Sequence, residues 1–241
     1  MEELYYFFLS ILSNHKPLLY SLLGGVLPAL IWLAFWIRED KKHPEPKGLI
    51  AKTFLLGMLA VLLVLPFQKA VDIYIPGSGA LAFLIWAMLE ETFKFLSAYF
   101  GGLRTKDDNE PLDPMIYMIT AALGFAALEN TLFILNPLLE QDILGSIVTG
   151  NLRFVGTTLL HTISSATIGI TLALSFYRGG RARLWWGFVG FILAVVIHYI
   201  FNLMIRMENG LGTPIAFGVV WAGVSIVILF FERVKMLRRK R

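Results

Sequence analysis

Seven apolar blocks of roughly twenty residues each, separated by short charged loops, dominate the sequence. About twenty apolar residues cross the hydrocarbon core of a bilayer as a helix, whereas a spanning strand needs only about ten. Because a segment in lipid must satisfy its own backbone hydrogen bonds, blocks of this length predict an all-α bundle of about seven spanning helices. We expect the spans at residues 18–37, 50–67, 80–100, 115–135, 154–177, 184–205 and 214–231.

The composition agrees with residence in a membrane. The chain is 57% hydrophobic and 16% charged, compared with about 45–50% and about 25% in soluble domains. This excludes a disordered chain, a secreted disulfide scaffold and a large soluble domain. Because the sequence has no cysteine, it also excludes disulfides, thiolate metal sites and a cysteine nucleophile. The acidic start, Met-Glu-Glu, lacks the basic region of a signal peptide, so we expect no cleaved leader.

The positions of lysine and arginine predict how the helices are oriented. The loops after the first, third and fifth spans, together with residues 232–241, hold sixteen of the 21 basic residues; four lie on the other side and Lys94 lies inside a span. Cytoplasmic loops retain basic residues, so we expect the N-terminus outside and a basic cytoplasmic tail at residues 232–241. The basic charge then reflects topology and attraction to anionic lipid, and we expect no nucleic-acid partner.

We expect residues 1–241 to form a single membrane domain in a prokaryotic-type plasma membrane. The aromatic block at residues 4–12 is too short to span, so residues 1–16 are predicted to be an interfacial segment. In the loop at residues 136–153, Leu139, Ile143 and Ile147 recur every four residues, which predicts a short interfacial helix over the outer mouth that controls entry.

Ionisable residues inside the spans are the strongest functional signal, because a central charge costs about 2.5–3.5 kcal/mol on insertion scales. Eight polar residues lie well inside four neighbouring spans: Glu90, Glu91, Lys94, Glu129, Asn130, His161, His198 and Asn202. At a rise of about 1.5 Å per residue, most of them fall at similar depths in the outer half of the membrane. Residues 80–205 are therefore predicted to be a four-helix catalytic core around a polar cavity.

The spacing within two of these spans indicates hydrolysis by activated water. Glu90 and Glu91 point about 100° apart around their helix, so one should be the working carboxylate and the other its partner; Lys94 is within reach of both. A carboxylate at low dielectric suits a general base. His198 and Asn202 lie one turn apart, and an imidazole beside an amide can stabilise an oxyanion.

Four short motifs carry a resemblance to a known family. Glu90 to Lys94 resembles EExxK, residues 124–130 resemble FxxxEN, and His161 with Ser164 and Ser165, followed by His198-x-x-x-Asn202, resemble the third and fourth motifs of the PrsW family of intramembrane proteases. The related CAAX prenyl endopeptidases carry EExxxR, so a lysine one position earlier favours the PrsW branch.

The resemblance implies hydrolysis of peptide bonds in membrane-embedded protein substrates, at or within the bilayer. By analogy with the CAAX relatives, the reaction is glutamate-based and needs no cofactor. The residues it marks as catalytic are Glu90, Glu91, Glu129, His161, His198 and Asn202, with Lys94 and Asn130 in support. PrsW-like proteins are also labelled metalloproteases, so zinc is the alternative, with Glu129, His161 and His198 as candidate ligands beside a glutamate of the third span.

Other interpretations remain open on the sequence alone. Lys94 could snorkel to the interface or pair structurally with Glu90 and Glu91. Ser164 and Ser165 are expected to pack or to bond their own backbone, and the asparagines, histidines and Glu129 could bond neighbouring helices. A proton-coupled carrier would also line a cavity with such residues, although no inverted repeat supports it. The absence of HExxH, of GxSxG and of aspartate within the spans argues against other protease types.

Overall fold

The computed structural model describes residues 15–40, 43–75, 79–207 and 211–237. Within these ranges the chain forms eight α-helices and no strand, so the all-α prediction is confirmed. The helices are α1 (Lys16–Glu39), α2 (Lys47–Tyr74), α3 (Ala80–Ala98), α4 (Asp113–Leu139), α5 (Ile143–Leu152), α6 (Thr158–Leu174), α7 (Gly180–Ile205) and α8 (Gly212–Lys235). Two π-helical segments accompany them, Tyr99–Leu103 after α3 and Arg153–Thr157 between α5 and α6.

The helices account for the seven predicted spans. Six helical stretches are long and apolar enough to cross a membrane, with α5 and α6 counted as one stretch. The seventh, α3, has 19 residues and carries Glu90, Glu91 and Lys94, whose charge lowers its hydropathy. The orientation of the termini stays a prediction, and the aromatic block at residues 4–12 lies outside the described residues.

Helix α4 lies at the centre of the bundle and packs against α1, α2 and α6. It crosses α2 closely because two glycines face opposing backbone. A Cβ atom added to Gly57 would lie 2.2 Å from the carbonyl oxygen of Ala121, and one added to Gly124 would lie 2.0 Å from that of Phe54. Small residues allow such contacts between helices in lipid. The crossing brings the polar residues of α4 beside α2 and α3.

Helix α5 confirms the predicted helix in the loop at residues 136–153. Asp142 begins it by accepting a hydrogen bond from the Gly145 amide at 2.8 Å, and its apolar Ile143 and Leu144 are exposed. The helix packs against α4, and none of its residues lines the cavity described below. Its control of entry stays a prediction.

A second set of buried acids lies at the opposite end of α4. We call Asp40, Glu45 and Asp113 the acidic cluster. The Tyr117 hydroxyl donates to Glu45, and Oδ2 of Asp113 accepts the amide of Glu110 at 2.7 Å. This cluster holds the α1–α2 connection against the start of α4.

Candidate active site

A cavity of about 510 Å³ opens at the end of the bundle where α2 ends and α3 begins. By the predicted orientation, this is the outer end. Helices α2, α3, α4, α6 and α7 and the second π-helical segment all contribute to its wall. The polar residues that line it include Gln68, Glu90, Glu129, Asn136, Arg153, His161, His198 and Asn202. The structure thus brings together residues that lie more than a hundred positions apart in the chain.

Glu91 is the most heavily bonded carboxylate of the site and is fully buried. Its Oε1 atom lies 2.5 Å from Nζ of Lys94 and 2.8 Å from Nδ1 of His198. Ser164 donates to Oε1 at 2.9 Å and Ser165 donates to Oε2 at 3.1 Å. Both oxygens are therefore occupied. The expectation that the two serines only pack or bond backbone was wrong, although Ser164 also bonds the His161 carbonyl.

Glu90, the neighbouring carboxylate, is bonded on one side only. Its Oε1 atom accepts a hydrogen bond from Nε2 of Gln68 at 2.9 Å. Its Oε2 atom is buried and has no hydrogen-bond partner among the described residues. This oxygen lies 3.5 Å from Nε2 of His198 and 4.0 Å from Nδ1 of His161. Glu90 thus presents one unsatisfied oxygen to two imidazole rings.

His161 lies between two charged side chains. Its Nδ1 atom is 2.9 Å from Nζ of Lys94, and its Nε2 atom is 2.9 Å from Oε2 of Glu129. The ring centres of His161 and His198 are 5.2 Å apart. Lys94 is fully buried and pairs with Glu91, so the interpretation that it snorkels to the interface was wrong.

Glu129 and Asn130 are held from the segment that follows α5. The Arg153 guanidinium donates to Oε2 of Glu129 and, through Nε, to Oδ1 of Asn130 at 2.6 Å. The Asn130 amide donates in turn to the Thr158 hydroxyl at 2.8 Å. Asn130 therefore joins α4 to the start of α6, as one sequence interpretation expected.

Among the described residues, one group of three could hold a metal ion: Glu90, His161 and His198, whose ligand atoms all lie within 4.8 Å of one another. The sequence predicted Glu129 and the two histidines as candidate ligands beside a glutamate of the third span. In the structure Glu129 lies outside this group of three and contacts His161. Glu90 is the glutamate of the third span that the sequence placed beside these ligands, and a ligand role for Glu129 stays a prediction.

Two polar residues that contact the site were not predicted from the sequence. Gln68 lies just beyond the predicted end of the second span, so the sequence predicted it to be a loop residue. Arg153 was counted among the four basic residues on the outer side. Its position there, against the general bias of basic residues toward the cytoplasm, was the signal that it has a specific partner.

Buried carboxylates and imidazoles around a cavity within a helical bundle are compatible with a membrane-embedded hydrolytic enzyme, and comparison with known proteins identifies the family. The family model described as "PrsW family intramembrane metalloprotease" matches residues 45–231. The chain belongs to this family. It is therefore a peptidase and an integral membrane protein, and the resemblance seen in the motifs is confirmed.

Curated relatives agree with this assignment. The chain is 26% identical over 200 residues to "Protease PrsW" of Geobacillus kaustophilus, covering 80% of this chain and 84% of the relative. It is also 26% identical over 198 residues to "Protease PrsW" of Halalkalibacterium halodurans, covering 78% and 85%. "Protease PrsW" of Oceanobacillus iheyensis is 27% identical over 192 residues, covering 76% and 81%. No solved structure matches the chain.

Proposed function

We propose that the protein hydrolyses peptide bonds of membrane-embedded protein substrates with water activated at Oε2 of Glu90. The observation that carries the proposal is the difference between the two adjacent glutamates. Both oxygens of Glu91 are bonded, whereas Oε2 of Glu90 is buried without a partner among the described residues. A general base needs a free oxygen within reach of the water it deprotonates.

The other side chains of the site orient this carboxylate and the groups around it. Gln68 occupies Oε1 of Glu90, so the carboxylate cannot rotate freely and Oε2 stays beside the two imidazole rings. Glu91 holds Nδ1 of His198, which leaves Nε2 of that ring toward Glu90. Asn202 lies one turn away and lines the same cavity. Its amide is a donor that needs no protonation, so we assign it to the oxyanion of the tetrahedral intermediate, with the ring of His198 beside it.

Zinc held by Glu90, His161 and His198 is a second candidate, favoured by a specific contact. With Nδ1–H donated to Glu91, a neutral His198 turns a lone pair toward Oε2 of Glu90 at 3.5 Å. Two lone pairs at this distance repel each other unless a cation or a proton lies between them. One carboxylate with two imidazoles is also a familiar ligand set of catalytic zinc. The donor set therefore fits the metal.

A bound zinc ion would lower the pKa of water and polarise the scissile carbonyl. In this form Glu91 would act on His198 as the carboxylate that fixes a ligand's orientation. The contacts of His161 argue against zinc, because Lys94 and Glu129 already occupy both of its ring nitrogens. A metal would have to replace one of these contacts.

Cleavage of a membrane-embedded peptide by the purified protein tests the proposal. Glu90→Gln keeps the shape of the side chain and removes its basicity, so we expect single-turnover cleavage to fall by about 10²–10⁴-fold. Glu45→Gln is the matched control, because it makes the same chemical change at a half-buried glutamate at the other end of the bundle. Near-normal cleavage by the Glu90 variant would assign the base elsewhere.

Metal content measured on the same preparations separates the two candidates. Cleavage that survives a strong chelator supports the metal-free mechanism. The metal-dependent mechanism is supported if the protein contains stoichiometric zinc and His198→Ala loses both the zinc and the activity. Added zinc should then partly restore the activity of this variant. Substrate uptake into vesicles without cleavage would instead favour a carrier and would contradict both.

A further inference from the structure

Arg153 has a position in the cavity wall that topology alone does not explain. It is the first residue of the π-helical segment Arg153–Thr157, and only 13% of its side chain is exposed. A buried arginine in a membrane protein is costly unless it is paired, and such residues usually serve a function. Segments of π-helix are also frequent at functional sites. Arg153 therefore needs a specific role.

The contacts of Arg153 bind it to one side of α4. The guanidinium donates to Oε2 of Glu129 and to Oδ1 of the adjacent Asn130. Its carbon Cζ lies 3.9 Å from the ring centre of Phe133, one turn further along α4. A planar guanidinium can bond two partners and stack on a ring at once, which a lysine ammonium cannot do. These three contacts fix its position.

The partner that matters for the site is Glu129. Its Oε2 atom receives both Arg153 and Nε2 of His161, the latter at 2.9 Å. The orientation of Glu129 is thus set by Arg153, and the ring of His161 is held by Glu129 on one side and by Lys94 on the other. Removing Arg153 leaves Glu129 free to turn, and the ring loses one of its two supports.

We propose that Arg153 is a positioning residue that acts through Glu129 to fix the ring of His161 in the site. Its effect on hydrolysis rests on the proposed function, but its effect on the ring does not. Binding of an acidic substrate group by Arg153 is the competing role, since Arg153 also lines the cavity. The two roles differ in which kinetic constant they change, in their dependence on Glu129 and in their effect on the free protein.

Steady-state cleavage by Arg153→Met, Arg153→Gln and Arg153→Lys separates the roles. We expect Arg153→Met to lower kcat by about 10–100-fold, the usual effect of a residue that orients a site group. KM should change by less than about twofold. Arg153→Lys should restore little, because lysine cannot hold Glu129 and Asn130 together. A raised KM with unchanged kcat would overturn the proposal and assign Arg153 to substrate binding.

Arg104→Met is the matched control. Arg104 also places its guanidinium over a phenylalanine ring, that of Phe100 at 5.2 Å, but it is exposed at the opposite end of the bundle. Its replacement should leave kcat and KM unchanged. Thermal unfolding in detergent tests whether each variant is folded. If Arg153→Met does not fold, Arg153→Gln is used in its place.

A double-mutant cycle with Glu129→Gln tests the route of the effect. If Arg153 acts through Glu129, adding Arg153→Met to the Glu129 variant should lower kcat by less than about twofold further. Independent, multiplying losses would mean that Arg153 acts on something else, which would overturn the proposal.

Imidazole ¹⁵N resonances give a readout that needs no cleavage. The chain has four histidines, so their ring signals can be assigned by substitution. In Arg153→Met at constant pH, the His161 signals should shift while those of His43 stay in place. Unchanged His161 signals would overturn the proposal. A shift in a protein that cleaves nothing would instead support the role of Arg153 and contradict the proposed function.

Discussion

Two groups of buried acids lie at opposite ends of α4, and they are built differently. Around the cavity, two of the three glutamates pair with a base, Glu91 with Lys94 and Glu129 with Arg153. In the acidic cluster, Oδ2 of Asp40 and Oδ1 of Asp113 are buried with no hydrogen-bond partner among the described residues. Counter-ions favour the charged forms of Glu91 and Glu129, whereas burial raises the pKa values of Asp40 and Glu45 and so favours their protonated forms.

The pKa values of the acidic cluster reflect this difference. Burial, reinforced by the nearby charges of Glu110 and Asp113, raises the pKa of Asp40 from 3.8 to about 7. Burial also raises the pKa of Glu45, against the hydrogen bond from Tyr117. The comparison teaches that burial of a carboxylate does not by itself indicate chemistry. What distinguishes the candidate site is an unsatisfied oxygen placed among paired charges and opposite imidazole rings.

The largest expected effect comes from removing a fixed charge at the cavity. Glu91→Gln leaves Lys94 buried at zero exposure without its counter-ion, so we expect the free energy of unfolding to fall by about 3–5 kcal/mol. Glu45→Gln removes a carboxylate that has no such partner, and Tyr117 can still donate to the amide oxygen, so its cost should stay below about 1 kcal/mol. Equilibrium unfolding in detergent measures both. Equal costs would break the comparison.

Turnover should respond to Asn202 without a change in stability. If its amide stabilises the oxyanion, Asn202→Ala should lower kcat by about 10²–10³-fold while substrate binding changes little. Asn109→Ala, beside the acidic cluster, is the control and should cleave normally. A raised KM with unchanged kcat in the Asn202 variant would assign this residue to substrate binding instead.

Gln68 offers a milder way to disturb the same oxygen. Gln68→Leu frees Oε1 of Glu90 from its 2.9 Å bond, so the carboxylate can turn away from the two imidazole rings. We expect kcat to fall by about 10–100-fold, as for other residues that orient a reacting group. Gln68→Glu would place a second carboxylate beside Glu90 and repel it, so this variant should not recover activity. Unchanged kcat would mean that packing alone orients Glu90.

Much of this arrangement was predictable from sequence. Hydropathy blocks predicted the seven spans because lipid imposes a fixed length on helices. The polar residues within them predicted the cavity because such residues are costly unless they face one another. Spacing along α3 left the roles of Glu90 and Glu91 open, since both lie within reach of Lys94.

The remaining contacts depend on how the helices pack. Lys94 pairs with Glu91 and His161, and the choice was made by the position of α6, which no periodicity within α3 can report. Gln68 follows the predicted end of an apolar block and Arg153 precedes the start of another, where a polar residue is ordinary in sequence. Each acquires its partner only when α2, α3 and α4 meet. The acidic cluster was missed for the same reason, because its members belong to loops and a helix start.

The smallest expected effect is the pH dependence of the acidic cluster. Because the pKa of Asp40 in the folded protein, about 7, lies above its ordinary value of 3.8, the folded state binds more protons between about pH 4 and pH 7. The free energy of unfolding should therefore fall as pH rises through this range. Lys235 opposes the shift, while Glu110 and Asp113 reinforce it.

Asp40→Asn removes the titrating group. Over the same pH range, the free energy of unfolding of this variant should therefore fall by about 1–2 kcal/mol less than that of the unmodified protein. The residual slope belongs to the other buried acids at this end of the bundle, among them Glu45 and Asp108, whose pKa values burial raises in the same direction. Unfolding midpoints measured from pH 4 to pH 8 decide the matter, and parallel profiles for the two proteins would show that Asp40 keeps its charge when folded.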